Sequence, residues 1–361
     1  MTRNFTYTRL HEKIETGTAM KSRNGIVAIL VSSMVAMLAV SPDGFAHHFR
    51  SRFDKTQFVE IEGELTLFSW RNPHVRIQIR STDEAGGEVL WDMEGDSLSI
   101  LRRTSAKPEG IEVGSHVRVA GFGTTQPSHD MLVYNLLTDD GREVLVNTNA
   151  KPRWSDDVSG GVGVWQTGGT VDGERGDIFR VWSTSFGREG SFNGFWSQSY
   201  PLTAMAQAKR ARWNPDVDVA AAGCEAKGMP YIMEQPYPIE FVRNGDDILL
   251  RMEEYDTVRR INMNPGTSSE NSILGNSTGH WEDDTLVVTT SNVSYRHFDG
   301  LGTPQGTNPR FEERFRVSDD NSRLEYEITA VDEEVFTEPV TLTKHWIWRP
   351  GEQVKPYECV D

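Results

Sequence analysis

The chain has 361 residues, with 53 acidic against 37 basic side chains and a formal net charge of −16 at pH 7. A surface this acidic repels nucleic-acid phosphates and anionic lipid headgroups, so the composition argues against nucleic acid as a partner. Neutral ligands, cationic ligands and metal ions remain open.

The amino-terminal segment has the layout of a secretory signal. Lys21 and Arg23 precede fifteen uncharged residues, 26–40, and the small residue Ala46 marks a cleavage site. The uncharged run is shorter than the roughly 20 residues that cross a bilayer. We therefore expect residues 1–46 to be removed, leaving a periplasmic or secreted chain with no stable membrane span. Because this leader holds five basic and three acidic residues, 32 and 50 remain, a net charge of −18.

Residues 47–147 predict a small Greek-key barrel of the oligonucleotide/oligosaccharide-binding (OB) type. Alternating runs separated by glycine and polar turns indicate five or six strands, and Asp96-Ser97 can cap a helix before the fourth. The predicted strands are 59–68, 74–79, 89–93, 116–120 and 131–137, with an extension to Val146.

Residues 148–223 have a different composition. The pairs Gly160-Gly161 and Gly168-Gly169 are typical of a loop-rich connector, interrupted by one predicted strand, 177–182. A helix is predicted over 201–213, with Leu202, Met205, Ala206 and Trp213 on one side. Five tryptophans present too much aromatic surface to leave in water, so we expect the connector to be packed.

Residues 224–361 return to alternating strands joined by tight turns. The eight predicted strands are 239–242, 248–255, 258–263, 279–281, 286–290, 311–317, 324–330 and 340–348. Eight antiparallel strands without intervening helices favour a lipocalin-like closed barrel that holds one small ligand; a two-sheet sandwich is the alternative. The chain has two cysteines, Cys224 and Cys359. An even number of cysteines in an exported chain favours a disulfide over two free buried thiols.

Histidines near the new amino terminus are candidate copper ligands. If cleavage follows Ala46, His47 offers its free amine and its ring nitrogen as a chelate, and His48 or His74 can supply a further nitrogen. If cleavage falls one residue earlier, a histidine occupies position three of the free terminus, another copper(II) arrangement. The alternative is a mobile polar terminus with His74 in a turn.

Two aromatic motifs are candidate ligand contacts. Pro73 restrains Asn72 to an extended conformation, so the turn Trp70-Arg-Asn-Pro-His74 can present Trp70 at the mouth of the small barrel. A structural turn with a core tryptophan is the alternative. His280 and Trp281 are further candidates if they point inward.

A polar run in the second barrel suggests acid–base chemistry. Strict alternation along residues 250–260 places Glu253, Tyr255 and Arg259 on one face, and neither face is apolar. One interpretation is a polar lumen in which these three residues and Glu312 surround a substrate. The other is an exposed hairpin stabilised by ion pairs.

Several motifs resemble an exported bacterial family of unknown function, in which His-His follows the signal and Trp-x-Asn-Pro-His closes the first strand. The motifs are His47-His48, Phe53-Asp54, Gly63, Trp70-Arg-Asn-Pro-His74, Glu94-Gly95, Gly121, Tyr200-Pro-Leu-Thr203, Cys224-Glu-Ala-Lys-Gly-Met-Pro230, Tyr237-Pro-Ile-Glu240, Glu254-Tyr-Asp-Thr-Val-Arg259, Gly279-His-Trp-Glu282, Asp284-Thr-Leu-Val-Val288, Glu313-Arg-Phe315 and Glu358-Cys359. The sequence departs from the family pattern at Phe49, where serine is usual, and at Ala226, where proline is usual. The resemblance implies no agreed activity.

These features predict a periplasmic small-molecule binding protein, with the ligand in the second barrel and the small barrel as a docking or lid module. The alternatives are a cofactor-independent lyase, isomerase or hydrolase in the second barrel, and copper binding at the mature amino terminus. Copper is the one cofactor that the sequence suggests, and the oligomeric state stays open.

Overall fold

The computed structural model describes residues 53–83, 85–124, 128–161, 177–184, 199–214, 218, 224–264 and 270–359. Within these ranges the chain is mainly β, and two closed barrels lie in one compact unit. The predicted leader, together with His47 and His48, lies outside the described residues.

The first barrel closes through five strands, which confirms the predicted OB-like fold. Its strands are β1 (Phe53–Ser69), β2 (Arg76–Thr82), β3 (Glu88–Glu94), β4 (His116–Thr124) and β5 (Asp130–Leu137). Antiparallel pairing joins β3–β2–β1–β4–β5, and a parallel contact between β3 and β5 closes the ring. Short strands β6 (Glu143–Leu145) and β7 (Val158–Ser159) extend its edge.

A one-turn helix, α1 (Leu98–Leu101), lies between β3 and β4, as the sequence predicted. Ser97 caps it by accepting a hydrogen bond from the Ile100 backbone N–H. Alternate side chains of the strands fill the barrel interior, among them Leu65, Ile77 and Val119, all without exposed surface. Period-two patterning therefore determines both the strands and the core here.

The second barrel closes through nine strands, one more than predicted. They are β8 (Val181–Ser183), β9 (Ile239–Asn244), β10 (Asp247–Met252), β11 (Thr257–Asn262), β12 (Asn276–Glu282), β13 (Thr285–Ser291), β14 (Arg310–Val317), β15 (Arg323–Val331) and β16 (Val340–Trp348). The additional strand, β8, comes from the connector and closes the ring between β16 and β9. Strands that alternate in direction close a ring only when their number is even. The ninth strand therefore requires one parallel contact, which joins β11 to β12.

Side chains fill the interior of this barrel throughout the described residues. Trp182, Trp346, Phe241, Phe311 and Phe315 are all at most 1% exposed. Close packing of such rings leaves no room for a bound molecule between them. The two cavities described below accordingly lie at one end and on the outer side of the barrel.

The helix α2 (Ala204–Arg210) is shorter at both ends than the predicted 201–213, and Thr203 caps its amino terminus. Ala206 is buried, whereas Met205, which the sequence places on the same side of the helix, is 39% exposed. Cys224 and Cys359 form the predicted disulfide, with 5.7 Å between their Cα atoms. No helix in the described ranges is both long and apolar enough to cross a membrane.

Candidate ligand site at one end of the second barrel

The turns β9–β10 and β12–β13 form one end of the second barrel. In the first turn Asn244 pairs with Asp247, so Gly245 and Asp246 make a two-residue loop. Gly245 has φ +62°, a conformation that favours glycine. Because Asp246 does not share the positive φ, the turn is of type II′ rather than type I′, and its twist matches a β-hairpin.

A cup of about 410 Å³ opens at this end of the barrel. Its lining combines apolar, aromatic and charged side chains, and consists of Phe179, Arg243, Gly245, Asp246, Asp247, Ile248, Met263, Asn264 and Trp281. This volume falls in the range of small-molecule sites, about 300–1,000 Å³. We call this feature the end cup.

Trp281 owes its place in the end cup to the pleat of β12. Ser277 and Gly279 are buried, and Trp281 continues the same side of the strand to the barrel end, where it is 42% exposed. A Cβ atom at Gly279 would lie 2.9 Å from the Met263 sulfur, so a glycine at this position makes room for Met263, which also lines the cup.

Two aromatic rings pack against each other at a tilt in the end cup. The ring centroids of Phe179 and Trp281 are 6.5 Å apart, with 52° between their planes. The Arg243 guanidinium carbon lies 3.6 Å from the Phe179 centroid, a cation–π contact. The same guanidinium donates to Asp177 at 2.9 Å, so its charge is paired.

The two aspartates of the end cup differ in their partners. Asp247 accepts from the Arg260 Nε at 2.8 Å and from the Met263 backbone N–H at 3.0 Å. The Arg260 bond, followed by the Met263 bond, lowers the pKa of Asp247 and keeps it ionised. Asp246 is exposed, accepts from the Asn264 amide at 3.4 Å and forms no ion pair within the described residues.

A second groove, about 490 Å³, lies mostly on the outer side of β13–β16. Two of its three arginines are paired: Arg314 with Glu282 at 2.6 Å and Arg316 with Asp319 at 2.7 Å. The tyrosine in its lining, Tyr326, is only 2% exposed, whereas Trp281 of the end cup is 42% exposed, so the groove is the weaker candidate for an aromatic ligand site.

The predicted acid–base residues do not meet in one cavity. Glu253 is fully buried and binds Arg103 of the small barrel, 2.6 Å from Nη1 to Oε1. Arg259 is buried inside the second barrel and pairs with Glu313. Glu312, which the sequence analysis placed in the polar lumen instead of the adjacent Glu313, is exposed on the outer face.

The predicted alternation fails because the chain turns at residues 254–256. A short 3-10 helix, Glu254–Asp256, separates β10 from β11, and Tyr255 and Asp256 adopt φ of 55° and 50°. Strict alternation places Arg251 on the same face as Arg259, but Arg251 is exposed, whereas Arg259 points inward. Tyr255 packs on Tyr357 with 4.9 Å between ring centroids, and burial raises its pKa.

The remaining predicted residues lie apart from the end cup's lining, except Trp281. Trp70 stacks on Phe68 in the small barrel, with 5.8 Å between centroids. His74 contacts Glu94, with 3.2 Å from Nδ1 to Oε1, and no group of three metal-ligating side chains occurs in the described part of the chain. His280 is exposed and lies 3.3 Å from Glu282.

Sequence reasoning missed Phe179, Arg243 and Asp246 as candidate site residues. They come from the connector and from the β9–β10 hairpin, far from Trp281 in sequence. Only closure of the barrel through β8 brings Phe179 beside Trp281, and no local pattern predicts that pairing.

Residues 35–130 resemble a family of unknown function, DUF6152. The matched stretch includes β1 to β4 and the first residue of β5. It confirms, for this part of the chain, the resemblance to a family without a known activity. No curated protein and no solved structure matches the chain.

Proposed function

We propose that this protein binds a small molecule in the end cup of its second barrel. The observation that carries the proposal is the indole of Trp281, which is 42% exposed and, together with the neighbouring Phe179 ring, lines a cavity of about 410 Å³. Concave sites that combine aromatic walls with a few polar groups are typical of ligand binding. The cup's polar groups, Arg243, Asp246 and Asn264, can orient a ligand.

An exported location is part of the proposal. The disulfide between Cys224 and Cys359 supports it, because disulfides persist in oxidising compartments. The predicted signal at residues 26–46 supports the same conclusion. We therefore propose a periplasmic or secreted ligand-binding protein.

Neither alternative function gains comparable support. An acid–base reaction requires its groups within reach of one substrate, whereas Glu253, Arg259 and Glu312 have separate surroundings. Copper binding depends on His47 and His48, which lie outside the described residues, and stays a prediction.

Native mass spectrometry tests the proposed function. The purified mature protein is incubated with the low-mass fraction of a metabolite extract, desalted and analysed beside Trp281→Ala. We expect a retained mass on the wild type that the variant loses, because the substitution removes one wall of the end cup.

Leu90→Ala is the matched control, since it removes an apolar side chain of similar exposure, 53%, from the small barrel. It should retain the ligand. A wild type that retains nothing, or a ligand that stays bound to Trp281→Ala, would contradict the proposal.

A further inference from the structure

We infer that the ligand of the end cup is an organic cation, an ammonium group attached to an apolar body. This inference rests on the proposed function and names the chemical class that the site recognises. It follows from three features of the cup: an available indole face, an internal example of cation binding, and the sign of the charge left unpaired.

The available face belongs to Trp281. Tryptophan is the aromatic side chain that attracts cations most strongly, through the negative potential above its ring. With 42% of its surface exposed, Trp281 has room for a partner. Phe179 and Met263 supply an apolar wall for the rest of the ligand.

The internal example is Arg243. Its guanidinium lies over the Phe179 ring at 3.6 Å, so one aromatic face of the end cup already holds a cation of this protein. Asp177 pairs with that guanidinium at 2.9 Å. An aromatic face with a nearby carboxylate is therefore a cation-binding combination that this structure uses.

Trp281 and Asp246 supply a second aromatic ring and a second carboxylate in the lining of the same cup. Of the three charged residues in the lining, Arg243 is paired with Asp177 and Asp247 with Arg260. Asp246 forms no ion pair within the described residues, so the unpaired charge of the cup is negative. The net charge of the whole chain, −16, also draws cations towards the protein.

A pair of isosteric probes tests the charge requirement. Choline carries a trimethylammonium group, and 3,3-dimethylbutan-1-ol has the same shape with carbon in place of the charged nitrogen. We expect isothermal titration of the mature protein to show choline binding more tightly, by about 2- to 30-fold. Added salt should weaken choline binding and leave the alcohol unchanged.

Two substitutions locate the effect. Trp281→Ala should abolish the preference for choline, and Asp246→Asn should reduce it. Asp283→Asn is the matched control, because Asp283 is an exposed carboxylate of the neighbouring β12–β13 turn that does not line the cup. It should leave the preference unchanged, which separates a local contact from a loss of overall charge.

The outcomes distinguish this inference from the proposed function. Equal affinity for both probes, or a preference that survives Trp281→Ala, overturns the cation class. If neither probe binds while a metabolite is retained in a Trp281-dependent manner, the cup binds ligands but not this class. Loss of Trp281-dependent retention overturns the proposed function itself.

Discussion

Arg259 shows how a single charged residue is accommodated in a filled barrel. It pairs with Glu313, 2.9 Å from Nη1 to Oε1, and donates to Ser277 at 2.9 Å and to Thr290 at 2.6 Å. Tyr326 donates to the same carboxylate at 2.8 Å. Burial opposes the charge of Arg259, but Glu313 outweighs it and raises the arginine pKa. Each of these buried polar side chains has a hydrogen-bond partner within the network, so we assign the network a structural role.

Arg259→Met should lower the free energy of unfolding by about 3–5 kcal/mol, because it leaves the Glu313 carboxylate buried without a cation. Urea unfolding, followed by circular dichroism, measures this change in the free energy of unfolding. Glu313→Gln added to the variant should restore part of the loss. Arg251→Met, which removes an exposed pair with Glu240, should change stability by less than about 1 kcal/mol. Equal losses in the two single variants would contradict the structural role.

Lys344 is a second charged residue on the inward side of a strand. Its ammonium donates to the carbonyl oxygens of Met233 at 2.9 Å and Glu234 at 3.3 Å, and lies 4.4 Å from the Trp346 ring. Burial lowers the pKa of Lys344 to about 7. The folded protein therefore tends to release this proton near neutral pH.

Stability should depend on pH through Lys344. The unfolded chain holds the proton up to the ordinary lysine pKa of about 10.4, so between pH 7 and about 10 it binds more protons than the folded chain. The free energy of unfolding should therefore rise with pH in this window, relative to Lys344→Met. Below pH 7 both states are protonated and the difference should level off. Parallel curves for the two proteins at about pH 6, 7.5 and 9 would contradict this assignment.

At the scale of elements, the carboxy-terminal strap, Glu352–Cys359, joins the two barrels. Arg103 of the small barrel donates to the Gln353 carbonyl at 3.0 Å, and Arg102 to the Pro356 carbonyl at 2.6 Å. The backbone N–H of Tyr357 donates to Asp256 of the second barrel at 3.0 Å. Tyr357 is 1% exposed and packs with Ile100 and Tyr237. The strap thus occupies the interface between the barrels.

Asn72 explains the Trp-x-Asn-Pro-His motif through this strap. Its amide donates to the Tyr357 carbonyl and to the Ser99 hydroxyl, and its oxygen accepts from the Ser99 backbone N–H at 3.1 Å. The motif was predicted as a ligand-facing turn or a structural turn. Asn72 is 1% exposed, so the geometry of this residue favours the structural role.

Asn72→Ala should lower the free energy of unfolding by about 1–3 kcal/mol, because buried polar groups of Tyr357 and Ser99 lose their partner. Hydrogen exchange of the strap amides should also become faster. Mass spectrometry after deuterium labelling measures the exchange rate of these amides. The control Asn308→Ala removes an exposed amide and should match the wild type. Unchanged exchange in the strap would show that Asn72 does not hold it.

At the scale of the whole molecule, the sequence predicted the two β domains because period-two patterning marks each strand directly. It did not assign β8 to the second barrel, since three residues inside a glycine-rich connector carry little pattern. It misplaced Arg259 because positive φ at Tyr255 and Asp256 resets the alternation. Glu313 rather than Glu312 faces inward because it shares the regular alternation of the buried Phe311 and Phe315 along β14.

The end cup could be predicted only in part. Trp281 stands out in sequence, but its exposure depends on where β12 ends. Phe179 and Asp246 reach the same cup through barrel closure, a long-range event that local patterns do not determine. The predicted lumen differs from the observed interior because alternation indicates which side chains point inward but not whether they fill the space.

The central claim is that a ligand binds at the barrel end and not within the barrel. Fluorine NMR of the mature protein labelled with 5-fluorotryptophan tests it most directly, with resonances assigned by single Trp→Phe variants. On addition of the low-mass metabolite fraction, we predict that the Trp281 resonance shifts while those of Trp182 and Trp346 stay in place. Shifts at Trp182 or Trp346 with an unmoved Trp281 would contradict the account.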